Sequence, residues 1–218
     1  KLRHALFDTY DKTVIPTETA SDPIEVKFGT MVLKSEIDED EAVVRTDMFV
    51  VMTFKDPRLQ WDVEEFDGID QLAVPSTEIW LPDVTHYQDT RQYTGMDQLS
   101  STFGSNVKAL VFKDGTVIYV PSYTVETPCA LDYTQWPLDT QFCTVKFGSW
   151  VHDNREIKLD IMDVSEEIKT NMNFKPTPSL KWILEDVRYK KTDFQFNDLK
   201  YDVINIKFEF HRRAEKFC

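Results

Sequence analysis

The sequence lacks the short motifs that mark common enzyme active sites. Its 218 residues contain no CxxC, HExxH or GxSxG motif and no glycine-rich phosphate loop, and only six residues are glycine. The four histidines are scattered, without the spacing of a metal-binding motif. We therefore predict that the protein is not an enzyme and that it uses neither a metal nor a cofactor.

Long apolar runs and an excess of basic residues are also missing. No stretch approaches the roughly 18 apolar residues that a membrane-spanning helix needs. With 38 acidic against 25 basic residues, the formal net charge is −13, which repels nucleic acid and attracts cations. We expect no nucleic-acid partner and no membrane insertion by this chain itself.

The composition is that of one folded domain with a substantial core. Hydrophobic residues make up 41% of the chain and aromatic residues 13%, which argues against disorder. Leu2, Leu6, Phe7 and Tyr10 share one face of a short helix that we predict within residues 1–11. The chain has no composition shift, so we predict a single domain over residues 1–218.

After the helix, apolar residues alternate with polar ones, as in β-strands. Met48, Val50, Met52 and Phe54, for example, share one face of a predicted strand. Strands are predicted near residues 24–33, 43–55, 77–81, 107–112, 116–121, 141–147, 155–161, 182–190 and 203–211. About ten short strands behind one helix, with no βαβ alternation, predict an all-β, immunoglobulin-like antiparallel β-sandwich.

Two of the three cysteines enclose a short segment with a distinctive centre. Cys129 and Cys143 flank Trp-Pro-Leu-Asp at residues 136–139, and a disulfide between them would contribute roughly 3 kcal/mol. Cys218 would then remain unpaired. The segment is compatible with a stapled hairpin of a secreted β-protein. Its spacing and aromatic-Pro-x-Asp centre also resemble the Cys-loop of pentameric ligand-gated ion channels, the family of the nicotinic acetylcholine receptors.

Three further segments resemble the principal ligand-binding face of the same family, in the same order. Residues 80–87 resemble its first loop, residues 147–150 (Phe-Gly-Ser-Trp) its second, and the hairpin at residues 191–201 its third. Acetylcholine-type subunits have two adjacent cysteines where this hairpin has Phe-Asn, so the native agonist stays open. An alternative register of the hairpin would use Tyr189. The resemblance implies a set of four aromatic binding residues: Tyr87, Trp150, Phe194 and Tyr201.

Residues 54–61 resemble the W-x-D-x-x-L-x-W segment of the family's complementary face. Phe54 stands where the motif has its first Trp. The resemblance implies that this face, which belongs to the neighbouring subunit, consists of Phe54, Leu110, Ile118 and Val120. It therefore implies a homo- or hetero-pentamer whose aromatic rings bind a small cationic ligand, acetylcholine-like or another amine, by cation–π contacts.

The resemblance also implies a coupling region that would transmit binding to a channel. Its residues are Glu39, Trp136, Pro137, Leu138 and Asp139, together with Arg212 or Arg213. The expected protein is the extracellular domain of a plasma-membrane receptor whose membrane helices are absent from this chain. An alternative is a soluble, secreted amine-binding protein similar to acetylcholine-binding proteins, with no channel.

A third class, a carbohydrate-active or adhesive β-sandwich, would need a catalytic carboxylate pair or a metal cluster. Asp62, Glu64 and Glu65 lie close together, but their pattern is that of a solvated turn.

Overall fold

A short helix packs against the strands that follow it. The computed structural model describes residues 1–17, 19, 21–88, 107–162 and 176–213. Helix α1 (Leu2–Phe7) buries Leu2 and Leu6 in the core and ends earlier than predicted. Beyond it, the Tyr10 hydroxyl donates to Asp56 Oδ2 at 2.7 Å, which ties the N-terminal segment to the sandwich.

Eleven strands lie within the described residues. In chain order they are β1 (Ile24–Asp38), β2 (Val43–Gln60), β3 (Gln71–Pro75), β4 (Val84–His86), β5 (Lys108–Phe112), β6 (Asp114–Tyr119), β7 (Ser122–Pro128), β8 (Thr140–Ser149), β9 (Ile157–Ile161), β10 (Trp182–Phe196) and β11 (Leu199–Arg212).

The strands form two sheets that pack face to face. The larger sheet has the order β3-β5-β6-β2-β1-β9, with β7 also paired to β2, and the smaller has the order β10-β11-β8-β4. Both contribute to one hydrophobic core, in which the rings of Phe28 in β1 and Phe147 in β8 lie 5.1 Å apart. The predicted all-β sandwich with a short N-terminal helix is confirmed.

The structure corrects several details of the strand prediction. Strands β1 and β9 pair in parallel, so the sandwich is not wholly antiparallel. The segment 77–81 is not a strand: a 3₁₀ turn at Ser76–Glu78 occupies part of it, between the proline that ends β3 and Pro82. Strands β3, β4 and β7 were not predicted. Strand β7 nevertheless buries alternate residues, including Tyr123 and Val125, as a strand should.

A disulfide joins the two sheets. It links Cys129, directly after β7 of the larger sheet, to Cys143 in β8 of the smaller one, with their Cα atoms 5.2 Å apart. This disulfide was predicted and is confirmed, whereas Cys218 lies outside the described residues. Of the helices in the described part of the chain, none combines the length and apolar character that crossing a membrane requires.

Candidate functional site

An open cavity lies beside the hairpin of β10 and β11, where this hairpin extends past the end of β8. The cavity has a volume of about 700 Å³. Its walls come from the residues after β4, from the end of β8 and from both hairpin strands. It brings together the four aromatic residues predicted for the principal face: Tyr87, Trp150, Phe194 and Tyr201.

Strand pairing positions two of these rings. Phe194 and Tyr201 lie directly opposite each other, so their side chains leave the hairpin on one face, with ring centroids 6.2 Å apart. Asn197 closes the turn with a φ of 53°, a left-handed conformation that Asn tolerates well. Phe196 also lines the cavity. Backbone pairing therefore shapes this hairpin without a pair of adjacent cysteines.

One carboxylate holds the loop that carries Trp150. Asp83 Oδ1 accepts a hydrogen bond from Ser149 Oγ at 2.6 Å. Asp83 Oδ2 accepts from the backbone N–H of Trp150 at 3.2 Å and of Val151 at 2.9 Å. The Trp150 side chain itself remains 68% exposed. The main chain is thus anchored while the indole face stays open to a ligand.

Tyr87 stands between this loop and the cavity. Its hydroxyl donates to the Ser149 carbonyl oxygen at 2.6 Å, and its ring centroid lies 6.2 Å from that of Trp150. Burial, with smaller contributions from Asp83 and Tyr201, raises the pKa of Tyr87 to about 12. The phenol is therefore neutral at physiological pH and acts as a hydrogen-bond donor.

Gly148 makes room for the Tyr87 hydroxyl. A Cβ atom at position 148 would lie 2.2 Å from Tyr87 Oη and 2.9 Å from the carbonyl oxygen of Asp202. Both distances are shorter than van der Waals contact allows. The glycine before Ser149 is therefore required for Tyr87 to reach its hydrogen-bond partner.

The prediction that Phe54 belongs to a binding face is wrong. Phe54 is 3% exposed, and its ring packs edge-on against Trp80 in the core, with centroids 5.3 Å apart. Successive side chains of a strand point to opposite faces, and Phe54 shares the core face of β2 with Met52 and Val50. The motif matched an aromatic residue but did not fix the face on which it lies.

The other face of β2 forms, together with the neighbouring strands, a partly exposed and mainly apolar surface. The register pairs Thr53 with Ile118 and Ile118 with Leu110, and all three are half-buried, as is Val120. Phe49 is the aromatic residue of β2 with the same parity as Thr53, and it is also half-buried. Sequence reasoning missed Phe49. The signal was present, because assigning Met48 and Phe54 to the core face leaves Phe49 on the other.

The structure places Tyr189 away from the cavity. Its hydroxyl lies 2.7 Å from Thr30 Oγ1 and donates to the Thr30 carbonyl oxygen at 3.2 Å, facing the other sheet. The cavity-lining residues of β10 near the turn include Phe194 instead.

Comparison with known proteins identifies the family. Residues 1–214 match the family described as neurotransmitter-gated ion-channel ligand binding domain. The chain belongs to this family. The predicted resemblance is confirmed, and the family is a class of receptor domains, not of enzymes.

Receptor subunits from several vertebrates are similar to this ligand-binding domain. It is 31% identical to neuronal acetylcholine receptor subunit alpha-6 of Mus musculus over 214 residues, covering 98% of this chain and 41% of the relative. Subunit alpha-5 of Gallus gallus is 31% identical and subunit alpha-3 of Carassius auratus 30% identical, each covering 98% of this chain and 40% of the relative. The chain thus spans about two fifths of the length of these relatives.

At the far end of β11, the ligand-binding domain contains a buried charge cluster. Arg212 donates through Nε to Asp139 Oδ1 at 2.6 Å and through Nη2 to Oδ2 at 3.0 Å. Its Nη1 and Nη2 also donate to the Glu39 carboxylate at 2.9 and 3.1 Å. Of the two candidate arginines, Arg212 makes these contacts. Within the part of the chain that the structure describes, the buried Nε of Arg213 has no hydrogen-bond partner.

The tip of the Cys-loop is apolar and exposed. Trp136 is 55% and Leu138 71% exposed, while Pro137 between them is half-buried and follows a cis peptide bond. The next residue, Asp139, is buried and bound to Arg212. The charge cluster therefore fixes the base of a loop whose apolar tip projects from the domain.

Proposed function

We propose that this domain binds a small cationic amine in the cavity beside the β10–β11 hairpin. The observation that carries the proposal is the convergence of four rings on one cavity: Tyr87, Trp150, Phe194 and Tyr201. Each ring face attracts an ammonium group by roughly 0.5–2 kcal/mol, depending on how far the contact is desolvated. The formal net charge of −13 further favours the approach of a cation.

We propose that a second subunit completes the site, within a homo- or hetero-pentamer. The half-buried apolar surface around Phe49, Leu110, Ile118 and Val120 supports this arrangement, because a neighbour could cover it while facing the cavity. Mass photometry and sedimentation are expected to detect pentamers at high protein concentration. A chain that stays monomeric at every concentration would contradict the inter-subunit site.

In the full-length receptor, ligand binding would close the hairpin and gate a transmembrane ion channel at the plasma membrane. The exposed apolar tip at Trp136 and Leu138 supports this proposal over a soluble, secreted amine-binding protein, because such a tip suits contact with a channel domain. The coding sequence distinguishes the two. A receptor requires about four further segments of about 20 apolar residues each, whereas a secreted protein has none.

Calorimetry on the purified protein tests the cation site. Acetylcholine, choline, serotonin and nicotine would be titrated into the wild type and into Trp150→Ala. Loss of the exposed indole should weaken the binding of any ammonium ligand by at least about tenfold. Trp136→Ala removes another exposed indole, in the Cys-loop and not in the cavity lining, and serves as the matched control. Unchanged affinity in Trp150→Ala would refute the site.

A further inference from the structure

The β10–β11 hairpin carries a buried carboxylate on the face that points away from the cavity. Asp202 directly follows Tyr201, and successive side chains of a strand point to opposite faces, so its carboxylate leaves β11 opposite to the cavity-lining Tyr201 ring. Asp202 is only 7% exposed. Burying a carboxylate is costly unless hydrogen bonds and an opposite charge compensate for the lost water. Asp202 therefore requires specific partners.

One partner of Asp202 is an edge strand of the larger sheet. Strand β9 is the last strand of that sheet, and the N–H of Met162, directly after β9, donates to the Phe28 carbonyl oxygen of β1. Backbone N–H groups alternate in direction, so the N–H of Leu159 points away from β1, to a side where no strand of the described residues pairs with β9. Asp202 Oδ2 accepts this N–H at 3.0 Å. The carboxylate thus takes the place of a neighbouring strand and joins the hairpin to the larger sheet.

Lys191 supplies the opposite charge from within the same hairpin. Its Nζ lies 3.0 Å from Asp202 Oδ2, the oxygen that also binds Leu159. Asp193 lies directly opposite Asp202 in the register of β10 and β11, and like charges in such a pair repel each other. The ammonium group of Lys191 therefore offsets both the burial of Asp202 and this repulsion.

Asp202 lies at the boundary between the packed and the exposed part of the hairpin. On one side of it, β11 pairs with β8 from Val203 onward, and the Tyr189 hydroxyl of β10 lies 2.7 Å from Thr30 Oγ1 in the larger sheet. On the other side, the hairpin tip (residues 193–198) is exposed throughout. The contact of Asp202 with β9 is therefore placed where the hairpin leaves the sandwich.

The two chain neighbours of Tyr201 are both bound to other segments. The Lys200 carbonyl oxygen accepts the N–H of Asn154 at 2.7 Å, and the Asp202 carboxylate binds the N–H of Leu159. We propose that Asp202 is a positioning residue of the aromatic hairpin. By anchoring the hairpin base to β9, it holds the Tyr201 ring at the cavity, while the tip can move. The consequence for amine binding rests on the proposed function, whereas the anchoring does not.

Hydrogen exchange, read by mass spectrometry on peptides from the hairpin and β9, tests the anchoring, and calorimetry with acetylcholine tests the positioning. Asp202→Ala removes both interactions. It should speed exchange in residues 191–202 and at Leu159 by at least about tenfold and weaken acetylcholine binding about tenfold. Asp202→Asn keeps an acceptor for the Leu159 N–H and should have a smaller effect. The double variant Asp202→Asn/Lys191→Gln should lose less than the sum of its single variants, because both lose the same ion pair.

Asp56→Asn is the matched control. It also breaks an ion pair of a buried carboxylate, here with Arg58 at 2.8 Å, but in β2 and outside the cavity lining. It should lower stability without a selective change in hairpin exchange or in acetylcholine binding. If Asp202→Ala does not fold, Lys191→Gln gives the same test, because the Lys191 side chain is 32% exposed and its loss leaves no cavity in the core.

The outcomes separate the anchor from the amine site. Unchanged exchange in the hairpin and β9 of Asp202→Ala overturns the inference, whether or not acetylcholine binds. Faster exchange throughout the domain, in the pattern of the Asp56→Asn control, also overturns it, because Asp202 would then stabilise the fold as a whole. Faster local exchange with unchanged acetylcholine affinity overturns the positioning role. If the wild type binds none of the four amines, the proposed function is wrong, and exchange alone decides whether Asp202 anchors the hairpin.

Discussion

Arg212 and Asp139 form a buried ion pair with two hydrogen bonds, at 2.6 and 3.0 Å, between the last strand and the Cys-loop. The same guanidinium binds Glu39 in the turn between β1 and β2, so one side chain connects three segments. Tyr201 lies near the other end of β11, roughly 35 Å away along the strand. A continuous strand therefore connects the aromatic-lined cavity to the base of the Cys-loop.

Replacing Arg212 should destabilise the whole domain. Arg212→Gln leaves the carboxylates of Asp139 and Glu39 without their cation, and breaking a buried pair in this way typically costs about 3–5 kcal/mol. Denaturant unfolding measures the loss. Arg188→Gln is the control, because Arg188 pairs with Asp186 while 65% exposed, and its loss should cost less than about 1 kcal/mol. Equal effects of the two variants would refute a structural role for the buried pair.

The same pair predicts a loss of stability in acid. Burial alone would raise the pKa of Asp139, but hydrogen bonds from Arg212 and Gln141 outweigh it and hold the pKa below its ordinary range. The folded protein therefore binds this proton more weakly than the unfolded chain does. The stabilisation is present above about pH 4 and is lost as the pH falls through the folded-state pKa.

The free energy of unfolding, measured between pH 6 and acid, checks this expectation. Asp139→Asn removes the titrating group, so its stability should fall less steeply than that of the wild type as the pH drops below about 4. Parallel curves for the two proteins would show that Asp139 does not contribute to the acid transition.

A methyl group at position 148 should disturb the cavity through Tyr87. Gly148→Ala places a Cβ 2.2 Å from Tyr87 Oη, so the hydroxyl must move and lose its bond to Ser149. We expect the affinity for amines to fall about tenfold, because the loss of one buried hydrogen bond typically has an effect of this size. Tyr87→Phe removes the same hydroxyl and hydrogen bond, although its Cζ would still lie 2.6 Å from the new Cβ. Because both single variants lose this one bond, the double variant should lose less than the sum of the two. Strict additivity would contradict this contact.

Phe54 and Phe49 should have opposite phenotypes. Phe54→Ala creates a cavity in the core next to Trp80 and should destabilise the fold by about 3–5 kcal/mol. Phe49→Ala removes a half-buried ring on the outer face and should mainly weaken ligand binding by the assembled protein. Unfolding and calorimetry on both variants measure the two effects. A stable Phe54→Ala variant with weakened binding would restore Phe54 to the binding face.

Much of the fold could be read from local patterns. Alternating apolar residues identified strands such as β2 and β11, because a half-buried strand must present one apolar face to the core. The pattern did not reveal the parallel pairing of β1 with β9, because strand direction depends on how distant segments dock. It also misassigned residues 77–81, where short-range apolar character coincides with a turn between prolines.

The sequence by itself determined the family, the Cys129–Cys143 disulfide and four of the aromatic residues that line the cavity, because these are encoded by residue type and spacing. Tertiary structure alone decided that Phe54 faces the core and that Arg212, not Arg213, meets Asp139. The physical reason is that strand parity and long-range ion pairs depend on how the two sheets pack. A motif records which residues are present, whereas packing decides which way each of them points.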